Sequence, residues 1–212
     1  GIVRGGCGQA PKDQLNSFLS SSEKDIAELA SFETASGPEN LHPAAQRIED
    51  LSREVISILS DSSGSKKQRE AHFGQLLARD LDIPLIARFV IGKHWRRVTI
   101  EQKRNYISAF KNYVIQTYSA RLGGAEVDSF KIINTKVIGK KDILVVSNVA
   151  KAGAKPIRAD WRLRQRNGTY RILDLSVEGI SMALTLRQEF SSILKNENGV
   201  STLISILQKR NA

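Results

Sequence analysis

Few residues in this chain combine the types and spacing that chemistry requires. Asp174, Ser176 and Glu178 alternate along one β-rich run, which puts Asp174 and Glu178 on the same face of a strand. Either carboxylate could act as general base in an isomerase- or hydrolase-type site. The plainer reading is that Asp174 orders the strand while Glu178 and Gly179 shape the turn into the next element. His42, His72 and His94 lie far apart and in no metal-ligand spacing, so no metal site is expected. Cys7 is the single cysteine, which excludes an internal disulfide and a cysteine-held zinc. No glycine loop of the phosphate-binding kinds and no Gly-x-Ser-x-Gly elbow is present, so the sequence calls for no catalytic residue and no cofactor. Lys93-His94-Trp95-Arg96-Arg97 mixes an aromatic with cations, a composition that also suits nucleic acid. No nucleic-acid motif accompanies it; the tryptophan is expected to pack while the cations stay in water.

The charge is uneven. Residues 1–65 carry 5 basic and 10 acidic side chains and residues 66–212 carry 27 and 12, a balance of −5 followed by +15. A basic main body calls for an acidic partner, whether lipid headgroups, a protein surface or nucleic acid. No run approaches the ~20 apolar residues that cross a bilayer. With 41% hydrophobic residues in 212, one sizeable core is available.

The elements that must position these residues follow from periodicity. Residues 1–40 read as a flexible or loosely docked leader, and 41–212 as one domain. From Pro43 the apolar positions Ile48, Leu51, Val55, Ile58 and Leu59 recur at helical spacing until Ser62 to Ser65 interrupts them. A second helix is expected from about Lys66 to Leu81 and a third from Pro84 to Ile91, closed by Gly92. Thr99 with Gln102 forms a capping box for a long helix ending at Gly123-Gly124. The period then changes, with β-rich runs at 127–138, 143–150, 157–166 and 170–177, joined by short turns into an antiparallel meander. In the third run Ile157, Ala159, Trp161 and Leu163 alternate with Arg158, Asp160, Arg162 and Arg164, so one face should be apolar and the other wet and basic. Ser181 caps a further helix, and a short one follows from Val200 to Leu207. The order is α+β: helices packed on one face of a curved four-stranded antiparallel sheet, either solid inside or enclosing an apolar cavity for a greasy ligand.

Two blocks resemble a known family. Leu81-Asp82, then Ile86 through Arg96, Thr99, Glu101-Gln102 and the spacing of Phe110, Tyr113 and Tyr118 form the first. Trp161-Arg162-Leu163, Tyr170-Arg171-Ile172, Asp174 through Met182, Arg187 and Phe190 form the second. Together they are similar to the MlaC or toluene-tolerance family, periplasmic lipid-carrying auxiliary components of ABC transport systems that maintain outer-membrane lipid asymmetry. His94 replaces the family's usual tyrosine and Tyr170 a common tryptophan, and residues 1–40 match nothing in it.

The resemblance implies a lipid-binding shuttle without catalytic activity, located in the periplasm with no export signal in this chain. Its cavity would take the acyl chains of a phospholipid or, as in one branch of the family, a hopanoid, with the headgroup outside. Its partners would be an inner-membrane ABC transporter complex with its substrate-binding ring and an outer-membrane lipoprotein–porin complex, and not nucleic acid. The expected cavity wall comprises Leu76, Leu77, Phe89, Val90, Phe110 and Val114 from helices, and Val145, Trp161, Leu163, Leu173, Leu175, Val177 and Ile180 from the sheet. Arg158, Arg162 and Arg164 would form the docking face for the partners.

Overall fold

Helix starts in this chain are set by side chains that satisfy the first free backbone N–H groups. In a computed structural model, which describes residues 41–210, the Nδ1 of His42 accepts from Ala44 N–H at 3.1 Å ahead of α1 (Pro43–Ser60). Ser65 and Gln68 form a reciprocal capping box ahead of α2 (Lys66–Asp80). Asp82 caps α3 (Ile83–Ile91), and Thr99 with Gln102 caps α4 (Ile100–Gly123). Between α3 and α4 the chain tightens into a 3-10 turn, Gly92–Arg97. Gly92 opens it at φ +55°, where a Cβ would lie 2.4 Å from the Arg187 guanidinium, so only glycine fits without strain.

The sheet then runs as a meander in the order β1 (Ser129–Ile138), β2 (Asp142–Ala150), β3 (Ile157–Arg166), β4 (Thr169–Val177) and β5 (Ile180–Ser181). It has five strands, where the periodicity suggests four. Glu178 and Gly179 both have positive φ, the backbone that a two-residue hairpin requires, and this turn folds Ile180 back beside Val177. The added strand is too short to show as an alternating run. α5 (Met182–Leu194) and α6 (Gly199–Arg210) complete the chain.

The wet, basic outer face expected of β3 is not what forms. Arg162 is 5% exposed, and its Nε donates to Asp142 Oδ2 at 2.6 Å. Arg164 Nε donates to Asp142 Oδ1 at 2.5 Å, and Arg166 Nη1 to Asp82 Oδ2 at 2.7 Å. The alternation of β3 itself holds, the one extra residue of the β3–β4 pairing being Leu173 of β4, but buried Asp142 draws Arg162 and Arg164 down onto the sheet. Of the three expected docking arginines only Arg158 is exposed, bonded to neighbouring Asp160 at 3.0 Å.

Two hydrophobic cores result. One joins α3, α4, α5 and α6 around Tyr106, Phe110, Phe190 and Leu203. The other joins α1 and α2 to β2, β3 and β4 around Ile48, Phe73, Val145 and Leu163. Leu81 packs against both, and Asp82 N–H donates to Ile172 C=O at 2.9 Å, tying the α2–α3 junction to β4.

Candidate functional site

Between the two cores the walls do not meet. A cavity of about 450 Å³ lies there, bounded by α1, α2, the C-terminal half of α4, the first turns of α5 and the helix-facing side of the sheet. Its size falls within the ~300–1,000 Å³ usual for ligand pockets. Ala125, Ala159 and Ala183 are among its lining residues, each with only a methyl side chain. Exposed Ile157 and Val177 are part of the lining, so the cavity reaches the molecular surface beside β3 and β4.

The lining is aliphatic and aromatic almost throughout, and its charged members are largely engaged. Asp80 is 1% exposed and accepts from Arg79 Nε at 2.8 Å and Arg47 Nη1 at 3.4 Å. Asp174 Oδ1 accepts from Ala183 N–H at 3.0 Å and Leu175 N–H at 2.9 Å, while Oδ2 accepts from Ser181 Oγ–H at 2.5 Å. Burial pushes the Asp174 carboxyl above the ordinary aspartate range, and these hydrogen bonds pull the other way. Its raised pKa would suit a proton-transfer group, but both oxygens are committed to holding β4, β5 and the start of α5 together. Glu178, in the hairpin turn, accepts from Arg158 N–H at 2.8 Å and does not line the cavity. Arg121 lies over the Tyr118 ring at 5.2 Å on the cavity wall, and burial raises the Tyr118 hydroxyl to about 12, so that group stays neutral.

Of the wall residues expected from the sequence, Leu76, Leu77, Val114, Trp161, Leu173, Leu175 and Val177 line this cavity. Phe89, Val90, Phe110, Val145, Leu163 and Ile180 do not. Val90 and Phe110 belong to the all-helical core, and Val145 and Leu163 to the helix–sheet core. Phe89 lies under the Arg187 guanidinium at 5.1 Å, and Ile180 stands 64% exposed, paired with Val177 at the rim. Sequence reasoning missed Val55 and Ile56 of α1, Tyr118 and Leu122 of α4, and Phe130 and Val149 of the sheet. The signal for α1 was present: its apolar stripe runs past Leu51 to Val55, Ile58 and Leu59, which the core only half buries.

The signature residues prove to be the frame of the cavity. Asp82 caps α3 and holds Arg166; Ala87 C=O accepts from the buried Tyr106 hydroxyl at 2.8 Å; Trp95 lies between Arg88 and Lys103 at 5.7 and 4.8 Å. Asp174 and Ser181, both in the second block, are bonded to each other.

Comparison with known proteins agrees with this geometry. A family model described as MlaC protein matches residues 49–209. The intermembrane phospholipid transport system binding protein MlaC of Haemophilus influenzae is 25% identical over 124 residues, covering 57% of this chain and 58% of the relative, so the match spans less than two thirds of that protein. A phospholipid-binding protein from Ralstonia solanacearum, solved in complex with a phospholipid, superposes with a TM-score of 0.68 at 20% identity, covering 80% of this chain and 97% of that one. The fold is shared.

Proposed function

The chain belongs to the MlaC family, and on that premise we propose that it is a non-catalytic lipid carrier of the periplasm. It takes up the acyl chains of a phospholipid, or of a related membrane lipid such as a hopanoid, and moves them between inner- and outer-membrane complexes. The observation that carries this reading is the apolar cavity reaching the surface beside Ile157 and Val177. At roughly 30 Å³ for a water-sized group, it accommodates on the order of 15 methylenes, about one long acyl chain.

The energetics suit a carrier. Moving such a chain from water into an apolar wall is worth about 0.8 kcal/mol per methylene, on the order of 12 kcal/mol in all. A bilayer offers the chain the same surroundings, so exchange between membrane and cavity is close to neutral, whereas release into water is strongly opposed. Selectivity therefore falls on the chain more than on the headgroup. The partners would be the inner-membrane ABC transporter complex with its substrate-binding ring and the outer-membrane lipoprotein–porin complex. Of the three arginines expected to dock, Arg158 is the exposed one and would face an acidic docking surface.

A second reading draws on Asp174, a cavity-lining carboxyl whose pKa burial raises, as general base of an enzyme. Organic extraction and mass spectrometry of the purified protein separate the two. Diacyl lipid in near-equal proportion to protein, retained in Asp174→Asn, supports the carrier. An empty cavity, with a turnover that Asp174→Asn abolishes, supports the enzyme.

A further inference from the structure

The cations of this chain divide into two populations. One group, on β3 and α2, is consumed internally: Arg79, Arg162, Arg164 and Arg166 each pair with Asp80, Asp142 or Asp82. Those of the α3–α4 corner are not. Between residues 83 and 125 there are eight lysines and arginines against the single acid Glu101. Among the described residues none of Arg88, Lys93, Arg96, Arg97, Lys103 and Arg187 has a carboxylate oxygen within 4.0 Å.

The geometry gathers these side chains. Arg88 and Lys103 flank the Trp95 ring, Arg187 lies against Gly92 and the Phe89 ring, and Lys93, Arg97 and Arg187 all act electrostatically on His94. On the first turn of α4 beside them stands Ile100, 77% exposed, the most exposed large apolar residue among those described. None of these residues lines the cavity.

We infer that the corner formed by the 3-10 turn Gly92–Arg97, the start of α4 and Arg187 is a docking surface for an anionic lipid bilayer. An uncompensated cationic cluster draws the protein to acidic headgroups, each lysine or arginine near the surface being worth about fivefold in affinity. A protruding isoleucine among cations is what a shallowly inserting anchor needs, and a half-buried tryptophan is at home at the headgroup level. A purely electrostatic dock to an acidic protein would use the same cations but would leave Ile100 without a role. This inference concerns a surface separate from the lipid cavity, so it can fail while the carrier reading stands.

The test is co-sedimentation of the purified chain with phosphatidylcholine vesicles, with and without a one-third share of phosphatidylglycerol. Wild type should bind the anionic vesicles alone, more weakly as salt rises. Lys93→Glu/Arg97→Glu should weaken that binding at least about 25-fold, from two fivefold contributions lost. Ile100→Ser should weaken it about tenfold while leaving the salt dependence unchanged, which only insertion predicts. Circular dichroism and copurified lipid should match wild type in both variants, since the substituted side chains are exposed. Equal binding of wild type and the charge-reversed variant overturns the inference. So does binding that the charge reversal weakens and Ile100→Ser does not, which would assign the corner to an acidic protein.

Discussion

Leu77 offers a direct way to occupy the cavity without unfolding the chain. It is half-buried on α2 and faces the cavity, so a larger side chain there has empty space to enter. Leu77→Trp adds about six non-hydrogen atoms, each standing where a ligand methylene would lie. At about 0.8 kcal/mol per methylene the gross loss is about 5 kcal/mol. A lipid tail can slide toward the rim and recover part of this, which leaves about 2 kcal/mol, roughly a 30-fold loss of affinity. The indole gains apolar burial, so the melting temperature should hold or rise, whereas a core position that had no room would lose about 1–3 kcal/mol by overpacking. The assay is competition of a fluorescent diacyl phospholipid against unlabelled lipid, alongside a thermal melt. Unchanged lipid affinity in a folded Leu77→Trp protein would show that chains do not lie against α2 and would refute the reasoning.

Burial lowers the pKa of His42, and only its neutral ring can accept from Ala44 N–H. As pH falls the unfolded chain takes up this proton first, so the contribution is full above the ordinary value of 6.5 and is lost as pH falls from there through the depressed folded value. Thermal melts at about pH 7 and about pH 5 should show an acid loss that His42→Asn, which keeps a cap acceptor, reduces; an identical loss in the variant would exclude His42 as its source. Asp142→Ala removes the carboxylate shared by buried Arg162 and half-buried Arg164, and should cost about 3–5 kcal/mol in urea denaturation. A loss under about 1 kcal/mol would mean the pair is solvated. Arg158→Glu should weaken binding of the lipid-loaded protein to the isolated transporter complex, more at low salt than at moderate salt, with bound lipid unchanged; equal binding at both salts would remove Arg158 from the interface.

Most of the frame was legible because it rests on local rules. Thr99 with Gln102, Ser181, Pro43 and Gly92 mark helix ends by side-chain and backbone chemistry that does not depend on distant contacts, and α4, α5 and α1 begin, and α3 stops, at those positions. β3 follows its alternation, whereas β4 carries one extra residue, Leu173, opposite Arg162 and Leu163, a feature set by strand pairing and invisible to a period of two. The fate of Arg162 was likewise hidden: its partner Asp142 is 20 positions away and comes beside it only through the β2–β3 register. The cavity was the least legible part. Leu163 and Leu173 both sit on the sheet with apolar side chains, yet the first fills the core and the second faces empty space. Leu163 is paired in the ladder with Ile172, while Leu173 is the unpaired extra residue of β4, a difference that only the strand register reveals.

The claim that acyl chains lie between the two cores is tested most directly by a phospholipid carrying a photoactivatable diazirine near the end of one chain. It would be loaded onto the protein, irradiated, and mapped by peptide mass spectrometry. The account predicts adducts on cavity-lining residues of α2, β3 and β4, among them Leu76, Leu77, Trp161 and Leu173, suppressed by Leu77→Trp. Adducts confined to exposed positions such as Ile100 or Ile133, with none inside the cavity, would contradict it.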